Sequence, residues 1–177
     1  MTKRCILIFP QFQNADVIED IRRRYDPAAR TVPAHITLVF PFESDLSAAA
    51  VRRHVTTALQ GVEPVALSVQ GISVRKHFGN YLLLDIHRGR NKLIEIHRRL
   101  YTGVLAPYLP QWRRSFDPHI TVGRLEDDEA FGRAWQDVRG LETEFRTCIR
   151  EIAVEIIGEH DESIIESTFT LPLEGKD

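Results

Sequence analysis

Residues 33–40, PAHITLVF, and 117–124, DPHITVGR, decide how this chain is read. Each sets His-Ile-Thr and an aliphatic residue close behind a proline, in the β-branched company of a strand. The two histidines, His35 and His119, lie 84 residues apart in a chain of 177, close to the half-length interval that a duplication into two lobes leaves behind. With 7 His and 11 Thr, about 0.4 His-x-Thr triplets are expected by chance, so two with the same middle residue and the same context exceed coincidence. Side chains alternate along a strand. His35 and Thr37 therefore share one face while Ile36 and Leu38 take the other, and His119 and Thr121 stand likewise against Ile120 and Val122. Each strand buries two aliphatics and offers an imidazole and a hydroxyl about 7 Å apart.

Outward from these strands, residues 4–10 read as a short buried strand. A helix follows with Val17, Ile18, Ile21 and Tyr25 at helical spacing, capped by Asn14 and ended by Asp26-Pro27. A second helix opens at 45–47 and closes by Gly61. Residues 64–76 alternate, with Gly71 at a bulge or bend, and turn through HFGN into YLLLDIH as a β-hairpin. A helix is expected over 91–106 and another over 127–138, the latter capped by the acidic EDDE at 126–129. Residues 143–158 and 163–171 read as a closing hairpin. Strands, helices and hairpins mix in the order β-α-β-α-β-β-α-β-α-β-β, an α+β pattern with no linker or low-complexity segment.

Composition agrees with one globular domain over 1–177, with 43% hydrophobic and 27% charged residues. Apolar runs of five to seven residues are far short of the ~20 that span a membrane, and the N-terminus lacks a signal-peptide core, so a cytoplasmic protein is expected. Cys5 and Cys148 have no zinc-like spacing and are expected to be buried, reduced thiols. Net charge is −2, but residues 1–125 hold +8 and 126–177 hold −10. Both His-x-Thr strands lie in the basic portion. That argues against a uniformly basic nucleic-acid surface and for a positive local face aimed at a phosphate.

Two imidazoles and two hydroxyls facing one cleft suit phosphodiester chemistry without a metal. Imidazole, with a pKa near 6.5, can take a proton from a nucleophile or give one to a leaving oxygen, and threonine hydroxyls can donate to phosphoryl oxygens. These motifs resemble those of the 2H phosphoesterase superfamily, which includes bacterial 2′-5′ RNA ligase-like proteins and cyclic phosphodiesterases. YDP at 25–27, PAHITL at 33–38, LYTGVLA at 100–106 and FDPHITVG at 116–123 are similar to a small bacterial branch of phosphoesterases. The resemblance implies two pseudo-symmetric lobes, each an antiparallel sheet with flanking helices, around a central cleft. It implies catalytic roles for His35, Thr37, His119 and Thr121. It also implies no metal and no cofactor, and as partner an RNA end or small nucleotide phosphodiester met by a monomer. Related enzymes open 2′,3′-cyclic phosphates, cleave 2′-5′ linkages or, in reverse, join RNA ends. End ligation and a non-catalytic nucleotide- or phosphate-binding module stand as the alternative readings.

Around the motifs, Arg124 lies near the end of the second strand, in reach of a phosphate, and Phe78 and Tyr81 flank a turn where an aromatic could stack a base. A surface arginine and ordinary turn packing are the plain alternatives for these. Arg22-Arg23-Arg24 reads as a solvated helix face beside Glu19 and Asp20. No HExxH or paired-Cys pattern points to a metal.

Overall fold

The computed structural model describes residues 1–76, 79–111 and 115–172. In chain order the elements are β1 (Thr2–Ile8), α1 (Ala15–Tyr25), β2 (Ile36–Ser44), α2 (Ala48–Ala58), β3 (Val65–Arg75), β4 (Asn80–Arg88), α3 (Arg90–Leu100), β5 (His119–Leu125), α4 (Asp128–Val138), β6 (Phe145–Ile149), β7 (Glu151–Ile157) and β8 (Ser163–Thr170). Single 3-10 turns at Pro27–Arg30 and Gly103–Tyr108 follow α1 and α3.

The caps explain most boundaries. Ser47 Oγ accepts the Ala50 amide at 3.2 Å, and Asp127 Oδ1 accepts the Ala130 amide at 2.6 Å, so the acidic EDDE run does start a helix. Asn14 differs from expectation: its side-chain amide donates to the Glu144 carbonyl at 3.4 Å and makes no cap bond. The helix expected over 91–106 ends at Leu100, because the segment from Gly103, with Pro107 inside it, tightens into a 3-10 turn. The expected strand over 143–158 is two strands. The chain leaves one sheet after Ile149 and enters the other at Glu151, a change of partner invisible to hydrophobic alternation.

The eight strands form two four-stranded antiparallel sheets, ordered β2-β1-β7-β8 and β5-β4-β3-β6. Two repeats, β1-α1-β2-α2 and β4-α3-β5-α4, build them by exchange. The strand after the first repeat, β3, pairs with β4, and β7, after the second, pairs with β1. The helices exchange as well: α1 packs on β5 and α3 on β2. One apolar cluster consequently joins both lobes, including Ile18, Ile36, Leu38, Leu84, Leu93, Ile120 and Val122. A smaller cluster of Cys5, Leu7 and Ala153, flanked by Phe9 and Ile157, lies on the opposite face of the first sheet.

Candidate active site

β2 and β5 are the inner edge strands of the two sheets and approach one another, which brings the two His-x-Thr motifs to the seam between lobes. His35 immediately precedes β2 and His119 opens β5. The rings are held alike: His35 Nδ1 lies 2.8 Å from the Pro33 carbonyl, and His119 Nδ1 lies 2.7 Å from the Asp117 carbonyl. A carbonyl only accepts, so each Nδ1 carries the proton and donates, and in a neutral ring the lone pair that exchanges protons is on Nε2.

A second correspondence lies in the ladders. Thr37 pairs with Leu7 and Val39 with Ile6, leaving Leu38 as an extra residue; Thr121 pairs with Leu83 and Gly123 with Leu82, leaving Val122 extra. Both motifs thus carry a bulge one residue after the threonine. Simple alternation would put Arg124 on the face opposite His119. The bulge returns it to the face of His119 and Thr121, across from Tyr81, whose ring lies 5.8 Å beneath the guanidinium. Tyr81 is therefore half-buried beside Arg124 on the motif face. Phe78 and its neighbour His77 lie outside the described residues, as do Arg113 and Arg114.

Supports of the two histidines differ. The Phe9 ring meets His35 edge-on at 6.3 Å. At the matching ladder position beside His119 stands Asp85, whose carboxylate accepts from Ser73 Oγ at 2.7 Å. The loop carrying His35 hangs on α1: Glu19 Oε1 accepts the Ala34 amide at 2.8 Å, and Arg22 donates to the Val32 carbonyl at 2.9 Å. Arg22 also bonds Glu19 and, at 3.0 Å, Asp26. Only 1% of Arg22 is exposed, so the solvated face expected for residues 22–24 holds for Arg23 and Arg24 alone. The reason is that Arg22 sits on the inner face of α1, where two carboxylates and a carbonyl satisfy its donors. The loop carrying His119 is braced instead through Asp117, which pairs with Arg75 and, at 2.9 Å, with Arg90.

Burial pushes the His35 imidazole below the ordinary histidine range; the Pro33 carbonyl bond opposes this and the buried Arg22 charge reinforces it, while Glu155 and Asp26 pull the other way. Glu155, on β7 opposite Cys5, accepts from the Cys5 thiol at 3.3 Å and from Ser163 Oγ. Burial, aided by that carboxylate, raises the Cys5 thiol well above the ordinary range, so Cys5 is an inert core residue. Cys148, expected to be buried, is exposed, because it stands on β6, an outer edge strand. Signals for these supports were present in the sequence as charged residues on α1 and an Asp in YLLLDIH. What linked them to the motifs was the packing of α1 against the loop before β2 for Glu19 and Arg22, and ladder register for Asp85.

The family model of the 2′-5′ RNA ligase superfamily matches residues 9–161. The chain belongs to this superfamily. Relatives within reach of sequence comparison include a Bacillus licheniformis protein bearing the name "Putative phosphoesterase", 32% identical over 126 residues that cover 70% of this chain and 72% of that protein. A Halalkalibacterium halodurans protein of the same name is 32% identical over 126 residues, 70% of this chain and 71% of its own. Among solved structures, a Thermus thermophilus protein superposes with a TM-score of 0.67 at 15% identity, over 98% of this chain and 100% of that one. Escherichia coli LigT, crystallised with ATP, superposes at 0.60 and 14% identity over 97% and 99% of the two chains. The two-sheet α+β architecture is thus that of the 2′-5′ RNA ligase superfamily. Among the described residues of this superfamily member no helix is long and apolar enough to cross a membrane.

Proposed function

We propose that the cleft hydrolyses a cyclic or 2′-5′ phosphodiester of RNA or of a nucleotide, such as a 2′,3′-cyclic phosphate, by two-histidine acid–base catalysis with no metal. The observation that carries this reading is the matched pair of imidazoles, each with Nδ1 tied to the carbonyl two residues back, on strands that meet at the lobe seam. His35, kept neutral by its apolar and cationic surroundings, takes the proton of the attacking water through Nε2. His119, with the Asp85 carboxylate at the neighbouring ladder position, enters as the imidazolium and protonates the leaving oxygen. Thr37, Thr121 and Arg124 share the face of the two rings and would donate to the phosphoryl oxygens as charge grows on them. The phosphoesterase names of the relatives support the same reaction class.

The test is a panel of nucleoside 2′,3′-cyclic phosphates and 2′-5′ dinucleotides, assayed with a chelator present. Turnover is expected to persist in chelator and to follow a bell-shaped pH profile. His35→Ala and His119→Ala should each lower kcat by about 10²- to 10⁴-fold, and the double variant little further, because the pair acts as a unit. Full activity of the double variant would overturn the mechanism. Binding without product across the panel would favour a recognition module.

A further inference from the structure

On α3 the apolar residues Leu93, Ile96 and Leu100 make a buried face, and His97 and Tyr101, one turn apart, share it, each only 7% exposed. Burying such rings costs free energy unless their polar atoms are met, and here both meet the backbone of the first motif strand. His97 Nδ1 donates to the Leu38 carbonyl at 2.7 Å, and the Phe40 amide donates to the Tyr101 hydroxyl at 2.9 Å. β2 ends its sheet on the inner side, and its ladder to β1 matches Thr37 and Val39 while passing over Leu38 and Phe40. Side chains of α3 thus supply what a neighbouring strand would supply with backbone. The first motif is gripped at both ends. Before His35, Glu19 and Arg22 of α1 hold the Ala34 amide and the Val32 carbonyl; after Thr37, Tyr101 and His97 of α3 hold the Phe40 amide and the Leu38 carbonyl. Arg22 and His97 stand at the same position along two 11-residue helices, Ala15–Tyr25 and Arg90–Leu100. His97 has a further contact, which leads to the other motif. Its ring lies flat on Phe116, with centroids 3.8 Å and planes 2° apart. Phe116 also meets Phe40 edge-on at 6.4 Å, and the next residue, Asp117, gives the carbonyl that holds His119 Nδ1.

We propose that His97 is a positioning residue that fixes the two motif histidines relative to one another across the lobe seam. One imidazole holds the residue after Thr37 by its N–H and the residue before Asp117 by its face, so the strand of one motif and the loop of the other share a single rigid plane. Both contacts need an aromatic ring with a donor on its rim. Phenylalanine would keep the stack and leave the Leu38 carbonyl unmet; asparagine would keep a donor and take the flat neighbour from Phe116. The effect on catalysis passes through the placement of His35 and His119, where a displacement of about 1 Å costs about 10²-fold in rate. The inference rests on the proposed reaction only for its kinetic readout.

Three variants of the full chain separate the two arms: His97→Phe, His97→Asn and Phe116→Leu. On a nucleoside 2′,3′-cyclic phosphate each should lower kcat about tenfold or more and change KM by less than about threefold. Val62→Ala, a buried truncation in the connection from α2 to β3, should lower Tm and leave kcat unchanged. Imidazole NMR titrations of His35 and His119 need no turnover. His97→Phe is expected to move the midpoint of His35, whereas His97→Asn and Phe116→Leu move that of His119, and Phe116→Leu leaves His35 where it was. Phe116 is half-buried, so its variant carries the test even if the substitutions at His97 cost the fold. An unmoved His119 midpoint in Phe116→Leu, an unmoved His35 midpoint in a folded His97→Phe, or rates that track Tm with Val62→Ala on the same line would each overturn the positioning role. A native chain that turns over no cyclic phosphate would sink the proposed reaction, and the NMR midpoints would still decide on His97.

Discussion

At the scale of single residues, the two histidines are alike in their backbone bond and unlike in their neighbours, and the proposed division of proton-transfer roles rests on that difference. The shift at His35 also bears on stability. The unfolded chain protonates His35 near the ordinary value of about 6.5, the folded chain only at lower pH, so acidification makes the unfolded state take up the extra proton. The penalty starts to appear as pH falls through about 6.5 and grows down to the folded value; above that range it is absent. Urea midpoints of the native chain and of His35→Gln should therefore match near neutral pH and diverge in favour of the variant on acidification; a constant difference at all pH values would refute the lowered proton affinity of His35 in the folded chain. Glu19 offers a second test, since its oxygen holds the amide of Ala34, the residue directly before His35. Glu19→Ala is expected to cut kcat about tenfold through misplacement of the ring, and Glu19→Gln, which keeps an acceptor oxygen, to restore most of it. Indistinguishable rates for all three chains would remove Glu19 from the positioning role.

Among the elements, β5 depends most on a local irregularity. The bulge at Val122 is what turns Arg124 back toward His119 and Thr121, and it is packed tightly: a Cβ on Gly123 would lie 2.9 Å from Leu82 Cδ1 and 3.2 Å from its Cβ. Gly123→Val should push β4 and β5 apart at this point and cost about 1–3 kcal/mol, a loss of several degrees in Tm. It should also raise KM more than a distant substitution of equal thermal cost, because Arg124 rides on the same bulge. A thermal loss with KM unchanged would separate the bulge from phosphate binding. The helix α3 has its own fixed point in Gly89, which opens it at φ +89° with the Ala66 carbonyl only 2.8 Å from where a Cβ would stand.

For the molecule as a whole, exchange is the governing feature. The first sheet completes the first repeat's β1 and β2 with β7 and β8, which follow the second repeat, the second sheet completes β4 and β5 with β3, which follows the first repeat, and with β6, and each repeat's first helix packs on the other's motif strand. Neither repeat can bury its apolar face alone. Calorimetry of the intact chain should accordingly record one cooperative transition, and separately expressed halves cut in the segment between α2 and β3 should remain unfolded. Two resolved transitions would mean that the lobes fold independently. The same exchange undoes a simple reading of charge: the acidic residues 126–177 form no lobe of their own, since they supply α4, one strand to the second sheet and two to the first.

Local chemistry made much of this legible. Apolar spacing in residues 15–25 and 128–138, the caps Ser47 and Asp127, and alternation around Ile36 and Ile120 are properties of short segments, so the sequence by itself determined the elements, their mixture and the paired His-x-Thr faces. Pairing partners are another matter. Alternation in residues 143–158 is the same whether the segment is one strand or two, so the change of sheet at Arg150 belongs to the tertiary structure. So do the burial of Arg22, the placing of Phe9 and Asp85 beside the two histidines, and the return of Arg124 to the motif face. Each depends on which residues meet across a ladder or an interface; for Asp85 and Arg124 a single slip of strand register would turn the side chain to the other face, and for Arg22 and Phe9 the deciding contact is the packing of α1 and of the segment after β1.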